Sequence, residues 1–253
     1  MQNKQLFFTA SDGTKLRSPQ YWLMLRKSIK LILDKTSFNI NLIYDGDSAL
    51  DDIPNAVNVI RHQHRLLSRF ESCSTNTHIE WLDICRSTYL KTEVPYIANE
   101  LGIIGNVLYI DVDCFITQDF AINYTGKPFW ACSIRRDDKT HFCPGVMIMN
   151  VNRLLNHDDR ILDHIDNNVD RNRVYDFNTW NALFPLNTYG LLPLEYNWKP
   201  VWGINERVNI LHFSGAKPHS IELAHRIPHV KQLIDPNPIA FKHYSDWFDA
   251  IMP

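Results

Sequence analysis

The sequence predicts an α/β fold wound around a mostly parallel sheet, and three observations carry that expectation. An apolar strand, Leu6 to Ala10, is followed by a turn and then by a helical stripe of Trp22, Leu25, Ile29 and Ile32. A second extended segment, Phe38 to Tyr44, comes next, and a β-α-β rhythm of this kind closes as a right-handed crossover. The unbroken apolar run Val107 to Ile110 is the strand that a sheet covered on both faces requires.

The remaining elements follow in order. Ser11-Asp12-Gly13 is a turn, and Pro19 suits the first turn of the helix after it. Asp45-Gly46-Asp47 ends the second strand, and Val57 to Ile60 reads as a third. Ile79 to Glu100 is expected to be helical, broken near Pro95 and closed by Gly102 and Gly105. Beyond the central run, strands are expected at Trp130 to Ile134 and Val146 to Met149, then a helix over Val151 to Val169. The last third mixes a short strand, Val208 to His212, with proline-rich loops and a closing helix near Phe241 to Ile251. No repeat or low-complexity linker divides the chain, so one domain over residues 1–253 is expected.

Bulk composition removes several classes of function. The 253 residues are 45% hydrophobic and 21% charged, enough to build a large core. A net charge of -2 gives no basic field for a polyanion, so no nucleic-acid partner is expected. Five cysteines, odd in number and without a C-x-x-C pair, read as reduced thiols. Met1 to Lys4 is polar and the next apolar run is too short for a signal sequence or a membrane span. A cytoplasmic chain without an integral membrane segment is the expectation, although an excised lumenal domain would look the same.

The strongest chemical signal is Asp111-Val112-Asp113, directly after the central apolar run. In extended backbone, residues i and i+2 point the same way, so both carboxylates are expected to aim at one point. A divalent cation relieves their repulsion, and hard oxygen ligands suit Mn²⁺ or Mg²⁺. The carboxyl end of a parallel strand is also where open α/β sheets place ligands. A second signal is His212-Phe213-Ser214-Gly215-Ala216-Lys217-Pro218, where a strand-end imidazole could ligate a metal and a lysine could meet phosphate. In Phe142-Cys143-Pro144-Gly145-Val146, the glycine permits close approach to backbone.

Taken in this order, these segments resemble glycosyltransferase family 8, the family of glycogenin and the bacterial lipopolysaccharide galactosyltransferases. Phe8 to Asp12 is similar to its nucleotide-binding strand, Asp111 to Asp113 to its D-x-D, and Phe142 to Val146 to its F-N-[SA]-G-V. Asp176 to Asn181 is like D-Q-D-x-L-N, Leu192 to Trp198 like L-P-x-x-[WY]-N, and His212 to Pro218 like H-F-x-G-x-x-K-P-W. There are departures: Lys91 stands where the family commonly has arginine, Cys143 and Pro144 replace a polar pair, and Phe177 replaces glutamine. Asn178 replaces aspartate, His219 follows Pro218 in place of tryptophan, and the Gly215 to Lys217 spacing is one residue short.

The resemblance implies a GT-A fold, with residues 1–118 a nucleotide-binding half ending in the D-x-D and residues 119–253 a sugar and acceptor half. It implies transfer from a nucleotide-diphosphate sugar, such as a UDP-sugar, to a glycan, lipid, protein or small molecule, with retention of configuration. Asp111, Asp113 and His212 would hold the metal, Mn²⁺ or Mg²⁺. Thr9, Ala10, Asp12, Lys91, Asp111, Val112, Asp113, Gly215 and Lys217 would contact the donor, with Asp176 and Lys217 in catalytic roles. Two alternatives stay open. A haloacid-dehalogenase-like phosphatase also uses D-x-D, and a non-catalytic nucleotide-sugar binder could keep the fold. Other histidines are less telling: His62-x-His64 reads as a solvated loop beside Arg61 and Arg65, and Pro228 argues against a helical pair of His225 and His229. Of the adjacent Arg135 and Arg136, at most one is expected to reach a ligand.

Overall fold

The computed structural model describes residues 4–74, 83, 86–138, 140–172, 176–221 and 227–251. Strand β1 (Gln5–Ser11) leads through a single π-helical turn, Gly13–Arg17, into helix α1 (Pro19–Lys35), with Pro19 in its first turn. Strand β2 (Asn39–Asp45) then pairs parallel to β1 along its whole length, and β3 (Asn58–Arg61) pairs parallel to β2 at the sheet edge. Helix α2 (Leu67–Ser74) follows. The part of the expected Ile79 helix over residues 75–82 and 84–85 lies outside the described residues, and with it Cys85. The helical run is interrupted near Pro95, as expected, by a 3₁₀ turn at Leu90–Glu93, and Pro95 sits in the first turn of α3 (Val94–Glu100), where a missing N–H is harmless.

Strand β4 (Asn106–Ile110) lies parallel to β1 on its other side. Its alternation divides the core. Val107 and Tyr109 join the cluster beneath Phe7, Phe129 and Trp180, while Leu108 and Ile110 join the cluster under α1 with Leu6, Phe8 and Trp22. Short β5 (Cys114–Ile116) leaves the main sheet, and β6 (Phe129–Ser133) and β7 (Phe142–Asn150) continue it. β7 runs antiparallel between β4 and β6, so the seven-stranded order is β3-β2-β1-β4-β7-β6-β8, with β8 at Gly190–Leu191. Four of its six pairings are parallel.

The expected Val151 to Val169 helix is two helices, α4 (Val151–Leu155) and α5 (Asp158–Asn172). Asn150 caps the first by accepting from Arg153 N, and the chain turns at Asn156 and His157. Helix α6 (Asp176–Leu183) packs against β7. The C-terminal region adds β9 (Ile210–His212), α7 (Pro228–Ile234) and α8 (Pro238–Asp249) around a third cluster of Phe115, Phe213, Phe241 and Phe248. β9 pairs antiparallel with β5 in a separate two-stranded sheet. Among the described residues no helix is long and apolar enough to cross a membrane.

Candidate active site

The carboxyl ends of β1 and β4 open onto a cleft of about 820 Å³ walled by Thr9, Thr14, Tyr21, Ser87, Lys91 and Asp111 to Asp113. Its floor is set by strand alternation. Thr9 Oγ1 lies 3.2 Å from Tyr109 Oη, and Tyr109 donates to Asp111 Oδ1 at 2.5 Å. The two aspartates do not converge as alternate residues of a strand, because β4 ends at Ile110 and Asp111 to Asp113 forms a turn closed by Cys114 N to Asp111 O at 3.0 Å. Each carboxylate therefore has its own cationic partner, and it is these that relieve the expected repulsion.

Asp111 is held by Lys91, whose Nζ lies 3.0 Å from Asp111 Oδ1 and 2.6 Å from Asp176 Oδ2. The lysine is buried, carried by the 3₁₀ turn at Leu90–Glu93, and sits over the Tyr109 ring. Burial disfavours its charge, but Asp111 and Asp176 outweigh that and raise its pKa well above the usual lysine value. Burial raises the Asp176 pKa, and Asp111 adds to this against the pull of Lys91.

Asp113 is held by Lys217 at Oδ2 and by His212, whose Nε2 lies 3.3 Å from Oδ1. Burial works against the Asp113 carboxylate, yet Lys217 and His212 hold its pKa well below the ordinary range. Lys217 also donates to Phe213 O at 2.8 Å and lies over the Tyr21 ring. His212 Nδ1 is 2.8 Å from Asn197 Oδ1. Burial disfavours the imidazolium, but the Cys114 sulfur and the Asp113 carboxylate beside it push the His212 pKa well above 6.5.

These side chains fit a hard divalent cation. Ligand atoms of Asp113, Cys114 and His212 lie within 4.8 Å of one another. The thiol is not the natural third ligand: burial pushes Cys114 up to about 12, and its Sγ donates to Gly145 O at 3.5 Å. Asp111 falls outside that group of three but comes near His212 over Gly145. A Cβ on Gly145 would stand 2.5 Å from His212 Cε1 and 2.8 Å from Asp111 Oδ2, so both side chains meet over a glycine that leaves the space between them clear. Two carboxylates and an imidazole suit Mn²⁺ or Mg²⁺.

Other residues singled out in the sequence are placed differently. Ala10 is fully buried on the opposite face of β1, in the cluster under α1. Asp12 accepts from Tyr44 Oη at 2.6 Å and from the backbone N–H groups of Asp47 and Ser48, and these bonds, set against burial, bring its pKa down to about 2. Gly215 is exposed, with φ +88° in the left-handed region, near Leu233. Val112 lines the cleft with its neighbours. Cys143 is buried, 3.9 Å from His212 Nδ1. Burial opposes its thiolate, but the bond to His212 holds the thiol at about 7.

The His62-x-His64 segment is not a solvated loop. His64 is buried against Phe70, and both rings, with Arg65, converge on the fully buried Glu93 two residues after Lys91. Arg136 stacks on Trp198 and donates to Trp202 O. His225 lies outside the described residues. Sequence reasoning missed Asn197, Tyr109 and Tyr21. Only Asn197 carried a signal, as the last polar residue of the Leu192 to Trp198 segment.

No protein-family profile and no curated protein matches the sequence. Solved structures do match. The apo-form glycosyltransferase GlyE of Streptococcus pneumoniae TIGR4 aligns with a TM-score of 0.63 at 14% identity, covering 85% of this chain and 56% of its own length. The galactosyltransferase LgtC, solved with donor and acceptor sugar analogues, gives 0.62 at 16% identity over 98% of this chain and 94% of its own. Mouse xyloside xylosyltransferase 1 gives 0.55 at 13% identity, covering 83% and 97% respectively. This chain therefore spans little more than half the length of GlyE and nearly all of LgtC. At such identities the likeness is one of architecture, and that architecture is the GT-A glycosyltransferase fold.

Proposed function

We propose that this protein is a metal-dependent glycosyltransferase that moves a sugar from a UDP-sugar to an acceptor, with retention of configuration. One observation carries the reading: Asp113 and His212 meet at 3.3 Å, Asp111 and His212 come together over Gly145, and two lysines stand beside the carboxylates. That set matches a nucleotide diphosphate, which brings two or more negative charges and needs cationic partners. Asp111, Asp113 and His212 would hold Mn²⁺ or Mg²⁺, and the bound ion supplies Lewis-acid stabilisation of charge on the departing diphosphate. Lys217, next to Asp113, is placed to exchange its carboxylate partner for a phosphate oxygen. Thr9, Thr14 and Ser87 offer hydroxyls along the cleft toward the nucleoside. Asp176 faces the same cleft from the N-terminus of α6 and is assigned a polar contact to the transferred sugar. Residues 1–118 then serve the nucleotide and residues 119–253 the sugar and acceptor.

Calorimetric titration of UDP with Mn²⁺, repeated in EDTA, tests the reading. Binding is expected only with metal, and Asp113→Asn should lower UDP-sugar turnover per folded molecule by more than tenfold. Equal UDP affinity in EDTA, or turnover of Asp113→Asn within tenfold of wild type, would contradict it. A non-catalytic nucleotide-sugar binder is favoured by one feature, the two lysines already bound to the carboxylates. Slow metal-dependent release of UDP from a UDP-sugar separates the two, since only an enzyme produces it.

A further inference from the structure

We infer that Asn197 is the positioning residue that aims His212 at the cation: its amide oxygen holds the proton on Nδ1 and leaves Nε2 as the ligating nitrogen. This inference rests on the metal-dependent reading above. Asn197 Oδ1 lies 2.8 Å from His212 Nδ1, and an amide oxygen can only accept, so Nδ1 carries the hydrogen in this bond. The opposite ring nitrogen faces Asp113 Oδ1 at 3.3 Å. Nε2 is thus the ring nitrogen left to face Asp113, and a cation bound beside that carboxylate would take the place of the Nε2 proton.

The backbone fixes the donor–acceptor pair from both sides. Asn197 ends the 3₁₀ turn Leu194–Asn197, which runs alongside β9. Three bonds tie the segments together: Asn209 N to Glu195 O, Trp198 N to Ile210 O and His212 N to Trp198 O. Asn197 is fully buried, so water does not compete for Oδ1. Its Nδ2 has no hydrogen-bond partner. A buried amide with an unpaired N–H is a poor choice for stability alone, because a leucine of similar shape would avoid that cost. The Asn197 oxygen explains why an amide stands there. Cys143 Sγ, at 3.9 Å from the same nitrogen, is a longer and weaker alternative.

The test compares Asn197→Leu, which keeps the shape without the acceptor, with Asn197→Asp, which keeps the acceptor. Free Mn²⁺ is followed by electron paramagnetic resonance in titrations of the full chain, with and without UDP, beside metal-free melting temperatures. Asn197→Leu is expected to weaken Mn²⁺ binding 10- to 100-fold while melting no lower than wild type, and Asn197→Asp to bind at least as tightly as wild type. Mn²⁺ binding by Asn197→Leu within about twofold of wild type would overturn the inference. If Asn197→Leu does not fold, ¹⁵N spectra of histidine-labelled wild type with Mg²⁺ and UDP decide instead. A proton on Nδ1 of His212 supports the inference and a proton on Nε2 refutes it. Failure of wild type itself to bind Mn²⁺, with or without UDP, would refute the metal reading and this inference with it. Binding by wild type and equal binding by Asn197→Leu would refute this inference alone.

Discussion

Lys91 Nζ lies 2.6 Å from Asp176 Oδ2, so a buried ion pair joins the turn at Leu90–Glu93 to the first residue of α6. The same ammonium serves Asp111 at 3.0 Å, making it the shared counterion of two carboxylates. Removing it leaves the buried Asp176 without its counterion, while Asp111 keeps the Tyr109 hydroxyl. Lys91→Met is expected to lower unfolding stability by about 3–5 kcal/mol, the usual loss when one partner of a buried pair is deleted. A urea midpoint equal to wild type would show that the pair contributes nothing to folding.

Lys217 should affect metal and nucleotide in opposite directions. Its ammonium occupies Asp113 Oδ2 in the metal-free protein, where it competes with a divalent ion for that oxygen. Lys217→Met is expected to tighten binding of Mn²⁺ alone by several fold and to weaken UDP binding at saturating Mn²⁺ by about tenfold, or about 1.4 kcal/mol. Two isothermal titrations separate these effects, and changes of the same sign in both would remove Lys217 from the phosphate.

Gly145→Ala probes the meeting point of Asp111 and His212. The new methyl would lie 2.5 Å from a ring carbon fixed by Asn197 and 2.8 Å from a carboxylate oxygen fixed near Lys91. Neither neighbour is free to yield, so about 1–3 kcal/mol of stability should be lost to overpacking. Donor turnover should fall more than tenfold. A crystal structure of the variant with both side chains unmoved and full turnover would contradict this.

Acid should destabilise the protein through His64. Burial, partly opposed by Glu93, brings the pKa of its imidazole down to about 4, whereas an unfolded histidine titrates near 6.5. Between these values the unfolded chain binds the proton and the folded chain does not, so stability falls as pH drops from about 6.5 toward 4. The full loss is on the order of 3 kcal/mol. Urea midpoints at intervals from pH 7.5 to 5 should show this slope in wild type, and a shallower one in His64→Gln. Parallel curves would assign the slope to other groups.

The β-α-β start and the apolar run before Asp111 were legible because burial on both faces of a parallel sheet leaves a pattern in composition. So was the order of chemical segments from Asp111 to Lys217. What the sequence hid were relationships fixed by tertiary geometry. Alternation suggested that Asp111 and Asp113 share a strand face, but the backbone turns at Ile110 and gives each acid its own lysine. His62 and His64 looked exposed beside two arginines, yet Glu93, some thirty residues later, draws them inward. Asp12 is used up within its own neighbourhood by Tyr44 and the following turn. Asn197 gave no periodic signal, since its role depends only on where β9 lies beside its turn.

The pairing of β5 with β9 has a kinetic meaning. Cys114 stands opposite His212, and Phe213 N bonds Asp113 O, so the contacts that assemble the site join positions about a hundred residues apart. Loops of that length close slowly, and their closure follows local structure formation. Strands β1, β2 and β4 can thus be in place while the cleft has acids but neither His212 nor Lys217. Competence for ligand arrives with the last long-range docking event, so UDP with Mn²⁺ would report on chains whose two ends have already met.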